Sequence, residues 1–344
     1  MTTRLHEKAW RDLVQNHPDA NIFHTPEMHE VFSHAEHHRP SLWAGTNTTG
    51  SAVALLPTVE VALTGGVLAP WTSRAVAYGG VLYVHDPDGN RAVAALLSAY
   101  RRGIRGRVLF TELRHACDAR NLRPMLEGTG FSHEGHLNYL IRLDKPEVEL
   151  WTALSKSAQQ RIRSAVKKGV VVKEVTDAAR CDDAYELLGQ VYRRAQIPLA
   201  DRSLFQAALS LLRPLDMLRI FTAHLGEQTI GVRFLLLHQG RMLDWYAGVD
   251  RAFATYSPNE LLVWHALQWG QAHCFEVFDF GGAGRPDEPY GPREFKAKFG
   301  GELVNFGRDV LVHAPARLRL SRSIYAAARG HMWGRASRSE GSRA

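Results

Sequence analysis

Residues 275–301 read FEVFDFGGAGRPDEPYGPREFKAKFGG, and their interpretation decides how the rest of the chain folds. An apolar run of strand character (Phe275, Val277, Phe278, Phe280) breaks at Gly281, Gly282, Ala283 and Gly284. It then crosses a proline-rich loop and resumes with Phe295, Lys296, Lys298 and Phe299. A buried strand that runs into a glycine-rich loop and then a lysine sets polar groups at the carboxyl edge of a sheet, where open α/β folds hold ligands. Alone, the stretch equally describes a strand, a loop and a solvated basic helix, so its neighbours must decide.

Immediately upstream, residues 258–272 have helical spacing, with Leu261, Leu262, Leu267 and Trp269 toward the buried side. Before them, strands at 217–224, 229–238 and 241–249 are joined by short glycine turns into an antiparallel meander. Further back lie a helix at 151–168 stopped by Gly169, the β-branched strand VVVKEV, and helices at 178–194 and 203–212. In the first part of the chain, Thr25 is an N-cap and Pro26 a first helical residue for a short helix reaching Ser33. Strands follow at 41–44, 52–61, 80–84, 108–113 and 137–143, with helices at 90–102 and 121–128. The expected organisation is therefore mixed α/β (α+β): a domain over 1–144, a second over 145–314, and a basic Arg-rich tail over 315–344.

The chain has 344 residues and a formal net charge of +7. Its first residues, MTTRLHEKAWRD, lack the apolar core of a secretory signal, and its most apolar span is broken by Pro57, Glu60 and two glycines, so a cytoplasmic location is expected. Cys117, Cys181 and Cys274 are odd in number and far apart, which argues against a disulfide framework and a zinc site. His34, His37 and His38 lack a metal-binding order, and no metal is expected. Positive charge concentrates in two places. The tail has seven arginines, Arg317 to Arg343, against the single acid Glu340, a composition that suits a phosphate-rich partner or an anionic membrane face and equally a solubilising tail. The second place is the helix bearing Lys156, Arg161, Arg163, Lys167 and Lys168.

Three stretches carry a resemblance to the Fem family of non-ribosomal aminoacyltransferases. They are LWTALSKSAQQRIRSAVKKGVVVKEV, YSPNELLVWHALQWGQAHCFEVFDFGG and GPREFKAKFGG, and they stand in the family's order. The resemblance covers residues 151–304 well and the first half more weakly, through FHTPEMHEVF and AVAYGGVLYV. It implies tandem GNAT-like acyltransferase domains, and the short interval between 175 and 217 implies that this member lacks the family's coiled-coil arm. It also implies transfer of an amino acid from aminoacyl-tRNA, as co-substrate and with no other cofactor, to an amine of a peptidoglycan precursor. Phe295 and Lys296 match the family's F-K pair, the lysine facing charge that develops on the reacting carbonyl and the ring supporting an ammonium-bearing substrate. The basic helix and tail are then the surfaces open to tRNA.

Other substrate contacts are expected from Asp244 and Tyr246, placed on one strand face by simple alternation, from Asp279, Gly281 and Gly282 at the strand end, and from the loop residues Arg202 and Tyr290. Two other readings stand beside this one. An acyl-CoA-dependent N-acyltransferase of envelope polysaccharide or natural-product biosynthesis shares the fold, but Ala254 and Tyr256 occupy positions where its phosphate loop needs glycines. A non-catalytic binding protein is the other. Amide product from charged tRNA, from acetyl-CoA, or from neither separates the three.

Overall fold

The computed structural model describes residues 2–3, 5–62 and 69–321. The chain begins with α1 (Glu7–Asn16), α2 (Pro26–Ser33), β1 (His38–Thr46), β2 (Ala52–Val61), α3 (Ala69–Thr72), β3 (Arg74–Gly79) and β4 (Leu82–Tyr83). It continues with α4 (Pro87–Ile104), β5 (Phe110–His115), α5 (Arg123–Gly128), β6 (Ser132–Glu134) and β7 (Leu137–Arg142). The second half holds α6 (Glu147–Ala153), α7 (Lys156–Lys167), β8 (Val170–Glu174), α8 (Ala178–Ala195), α9 (Arg202–Leu212), β9 (Leu218–Leu225) and β10 (Gln228–His238). It closes with β11 (Arg241–Val249), α10 (Pro258–Ala272), β12 (Val277–Gly282), α11 (Gly291–Ala297), β13 (Glu302–Asn305) and β14 (Arg308–Val312).

Local chemistry accounts for the helix starts. Thr25 Oγ1 accepts the Met28 amide at 3.1 Å ahead of Pro26, and Asp86, Asp177 and Asp201 cap α4, α8 and α9 in the same manner. The helix expected at 151–168 is instead two. Leu154 turns extended (ψ 142°) and Ser155 restarts the chain by accepting the Ala158 amide, because a serine satisfies the first free amides of a helix better than it continues one.

The strands form two sheets, ordered β1-β2-β3-β5-β14-β6 with β4 against β2, and β13-β7-β12-β11-β10-β9-β8. The boundary expected at Asp144 does not separate them. β7 comes from the first half but lies between β12 and β13 of the second sheet, while β14 returns from the second half to lie between β5 and β6 of the first. Packing binds the halves further. One face of the second sheet packs α6, α7 and α10 around Phe221, Leu262 and Phe278. Its other face packs α8 and α9 around Phe205 and Phe234, and the same cluster takes in Met28, Val31 and Phe32 of α2. A continuous apolar cluster across the boundary resists hinge motion, because opening it exposes buried side chains to water at about 25 cal/mol per Å².

Candidate active site

β11 and β12 run parallel and are paired only at Arg241–Val277, Met242–Phe278 and Leu243–Asp279. Beyond that point β11 stays with β10 as far as Val249, while β12 turns toward β7 through the pair Gly282–Asn138. The two strands splay, and the gap opens on a cavity of about 220 Å³ between the sheets. Asp244, Asp279, Gly281 and Gly282 line one side of it, and Tyr78, Arg114, His115 and Arg308 of the first sheet line the other.

Asp279 stands at the last paired position. Its Oδ1 accepts the Gly281 amide at 2.7 Å, an Asx turn that holds Gly281 at φ +65°, where a side chain would be strained. Burial pushes this carboxyl up to about 6, against the lowering pull of the Gly281 amide, Arg241 and Lys296. Lys296, on α11, reaches back to the same strand end, and its Nζ donates to the carbonyls of Phe280 and Gly282, each at 2.7 Å. It is no free surface cation. Burial lowers its pKa, while Asp244 and Asp279 pull the other way. Two of its three protons are engaged, so one remains for a substrate oxygen. A cation and a carboxyl poised to titrate near neutral pH thus meet at the edge of the opening.

Asp244 and Tyr246 do not share a face. A bulge between Phe234 and Leu235 places Tyr246 opposite Phe234 and Asp244 opposite Leu235, so alternation fails at Trp245. Tyr246 packs into an aromatic group with Phe205 and Tyr192 (ring centroids 4.8 and 5.9 Å), whereas Asp244 turns to Arg233. Arg233, fully buried in mid-strand, is held by Asp244 and by Asn259 Oδ1 at 2.9 Å. Replacing Arg233 with methionine leaves Asp244 unpaired, with an expected loss of roughly 3 kcal/mol in urea unfolding; adding Asp244→Leu restores most of it. A stable single variant would show the pair to be dispensable.

The whole architecture has relatives. FemX superposes at a TM-score of 0.69 with 14% identity, covering 92% of this chain and 98% of FemX. The chain has the Fem-type tandem GNAT fold. L-PGS from Bacillus licheniformis (TM-score 0.59, 11% identity, 94% and 98% covered) and a tandem GNAT protein from the clavulanic acid biosynthesis pathway (0.55, 13%, 90% and 95%) share it. Residues 154–296 match the Acetyltransferase (GNAT) domain family, which makes the second half an acyltransferase domain. No curated protein matches the chain by sequence.

Within this Fem-type fold the expected site residues divide. Asp244, Asp279, Gly281 and Gly282 line the opening, and Lys296 stands behind it, tied to the same strand end through the Phe280 and Gly282 carbonyls. Phe295 instead packs edge-on against Phe299 at 5.2 Å, as part of the core beside α10. Tyr290 is 41% exposed and borders a neighbouring hollow with Glu112, His136 and Arg308. Arg202 is spent elsewhere, bonded to Glu186 and lying 5.2 Å from the Tyr185 ring centre. Lys156, Arg161, Arg163, Lys167 and Lys168 are all exposed on or just after α7. Three of them have internal partners: Arg161 pairs with Glu260 at 3.4 Å, Arg163 lies 5.1 Å over Trp151, and Lys168 donates to the Thr255 carbonyl at 2.6 Å. Of the tail arginines, Arg317 and Arg319 are described, and the other five lie outside the described residues. Among the described residues His17, Asp19 and His85 cluster closely enough for a metal, but both ring nitrogens of His17 are already engaged, by the Tyr83 carbonyl and the Asp19 amide. Sequence reasoning missed Arg114, Arg308 and His136, which only the strand exchange brings together. It also missed Arg233, whose signal was plain: one charge inside the apolar run GVRFLLL.

Proposed function

We propose that this chain transfers an aminoacyl group from aminoacyl-tRNA to an amine of a peptidoglycan precursor or similar peptide acceptor. The observation that carries this reading is the splayed edge of β11 and β12, where Asp279 and the Lys296 ammonium stand together. The acceptor amine attacks the ester carbonyl, a C–N bond forms, and the nitrogen's proton passes to the Asp279 carboxylate. Lys296 offsets the negative charge on the carbonyl oxygen until the C–O bond breaks, and Asp279 passes the proton it took from nitrogen to the leaving ribose oxygen, which regenerates its carboxylate. No covalent enzyme intermediate is needed.

The start of α10 supports a donor other than acyl-CoA. A helix N-terminus binds pyrophosphate through free amides and a positive dipole end. Here the first turn already contains a buried carboxylate, Glu260, and Lys168 closes over the preceding Thr255 and lies 5.4 Å from the Tyr256 ring centre. The acyl-CoA alternative rests on the GNAT domain match. Incubation with a mixed charged-tRNA pool and a precursor panel, with acetyl-CoA in a parallel arm, decides by product mass. An aminoacyl increment supports the proposal, and an acetyl increment alone replaces it with the alternative.

If tRNA docks on α7, log Kd will depend linearly on log salt, and Lys156→Ala or Lys167→Ala will each lower the slope by about one. A flat salt response in filter binding removes the nucleic-acid role of these charges.

A further inference from the structure

The wall of the cavity facing β12 carries charges that acyl transfer does not use. Arg114 of β5 and Arg308 of β14 both turn to Glu112, whose Oε2 accepts from Arg114 at 3.0 Å and whose Oε1 accepts from Arg308. Two guanidiniums share one carboxylate, and Arg74 adds to the same field. The other acids of the neighbouring hollow, Glu134 and Glu288, both turn to Arg285, and the remaining neighbour, His136, adds no negative charge. His136 accepts from Arg308 through Nε2 at 2.7 Å, and burial together with Arg308 holds its pKa down at about 4, so it is neutral at pH 7. The Arg114 Nε is buried with no partner, while its guanidinium lies 5.2 Å from the Tyr78 ring centre.

Gly282 links this group to the reacting edge. A Cβ there would sit 2.7 Å from His136 Nε2 and 3.6 Å from Arg308 Nη2, and the Gly282 carbonyl receives Lys296 at 2.7 Å. A single residue therefore separates Arg308 and His136 from the ammonium. Like charges half out of water with too few counter-charges are stabilised by an added anion, and the planar fork of arginine fits carboxylate and phosphoryl oxygens.

We propose that Arg114, Arg308 and His136 form an oxyanion subsite for the acceptor. The enzyme thereby selects amines that bear a carboxylate or phosphoryl group a few bonds from the nucleophilic nitrogen, a selection that rests on the acyl-transfer reading above. The binding step does not depend on that reading and is tested without turnover. In calorimetric titrations of the full chain, inorganic phosphate or acetate binds saturably; a preference for phosphate marks a phosphoryl ligand and a preference for acetate marks a carboxylate. Arg308→Gln weakens binding roughly ten- to hundred-fold, the size expected for a lost hydrogen bond to a charged group. Glu112→Gln strengthens it by removing the competing carboxylate. In the unmodified chain, the His136 ring followed by NMR titrates at higher pH when the anion is bound, a readout independent of any variant's folding. Absence of saturable binding, equal binding by a folded Arg308→Gln chain, or an unmoved His136 titration overturns the subsite. Anion binding without amide product from any donor would sink the transferase reading and leave the subsite standing. Amide formation with no anion binding would do the reverse.

Discussion

Asp279→Asn will lower kcat by roughly 10²–10⁴-fold, the usual contribution of a positioned general base, and will make the protein more stable. Both effects follow from one carboxyl. The asparagine keeps an oxygen for the Gly281 amide, so the Asx turn survives, but it cannot take a proton from the attacking amine. The pH dependence has a definite sign. The folded-state pKa, about 6, lies above the ordinary carboxyl value, so the folded protein holds this proton more tightly than the unfolded chain. The corresponding stability is present below the unfolded pKa and lost as pH rises through about 6. Activity runs the opposite way, since only the ionised form acts as a base, and kcat should climb through the same interval. Removing the charge therefore stabilises the protein by about 1–3 kcal/mol above pH 7 and by almost nothing below the unfolded carboxyl value, near pH 3. Urea unfolding at both pH values and a kcat profile check this. An unchanged acid limb in the asparagine variant would hand the base role to another group.

Lys296→Met is expected to cost roughly 10²–10³-fold in kcat, the loss seen when one donor to a developing oxyanion is removed. The KM for the acceptor should move little, because the ammonium acts on the charge of the transition state. The lysine also ties two carbonyls of β12, so a purely structural role must be separated from this one. Lys296→Arg keeps a cation and donors for the two carbonyls but carries a broader, flatter head. It should retain the melting temperature and recover only part of the rate. If methionine lowers the melting temperature and kcat falls only in proportion to unfolded protein, Lys296 is a brace for the strand end.

Much of this was legible in the sequence wherever local signals are strong. The Thr25–Pro26 helix start, β2 and α10 lie where capping chemistry and periodicity put them. The glycine break after Phe280 falls where Gly281 and Gly282 line the cavity. What escaped notice was non-local. Alternation put Asp244 with Tyr246, and only the pairing register of β10 reveals the bulge that parts them. The residues 308–312, RDVLV, alternate as a short strand should, yet nothing nearby says that this strand pairs with β5 and β6 some 170 or more residues earlier. Arg114 and Arg308 therefore had no common signature, since their meeting depends on that pairing alone.

The exchange of β7 and β14 also has a consequence in time. During synthesis the first sheet has a vacant lane between β5 and β6 until Arg308–Val312 leave the ribosome. At 5–20 residues per second that wait lasts roughly 10–35 s, during which two strand edges are unpaired. A nascent chain halted anywhere in the second half should thus be open to protease in its first half and sticky toward other chains, and both properties should vanish together once β14 emerges.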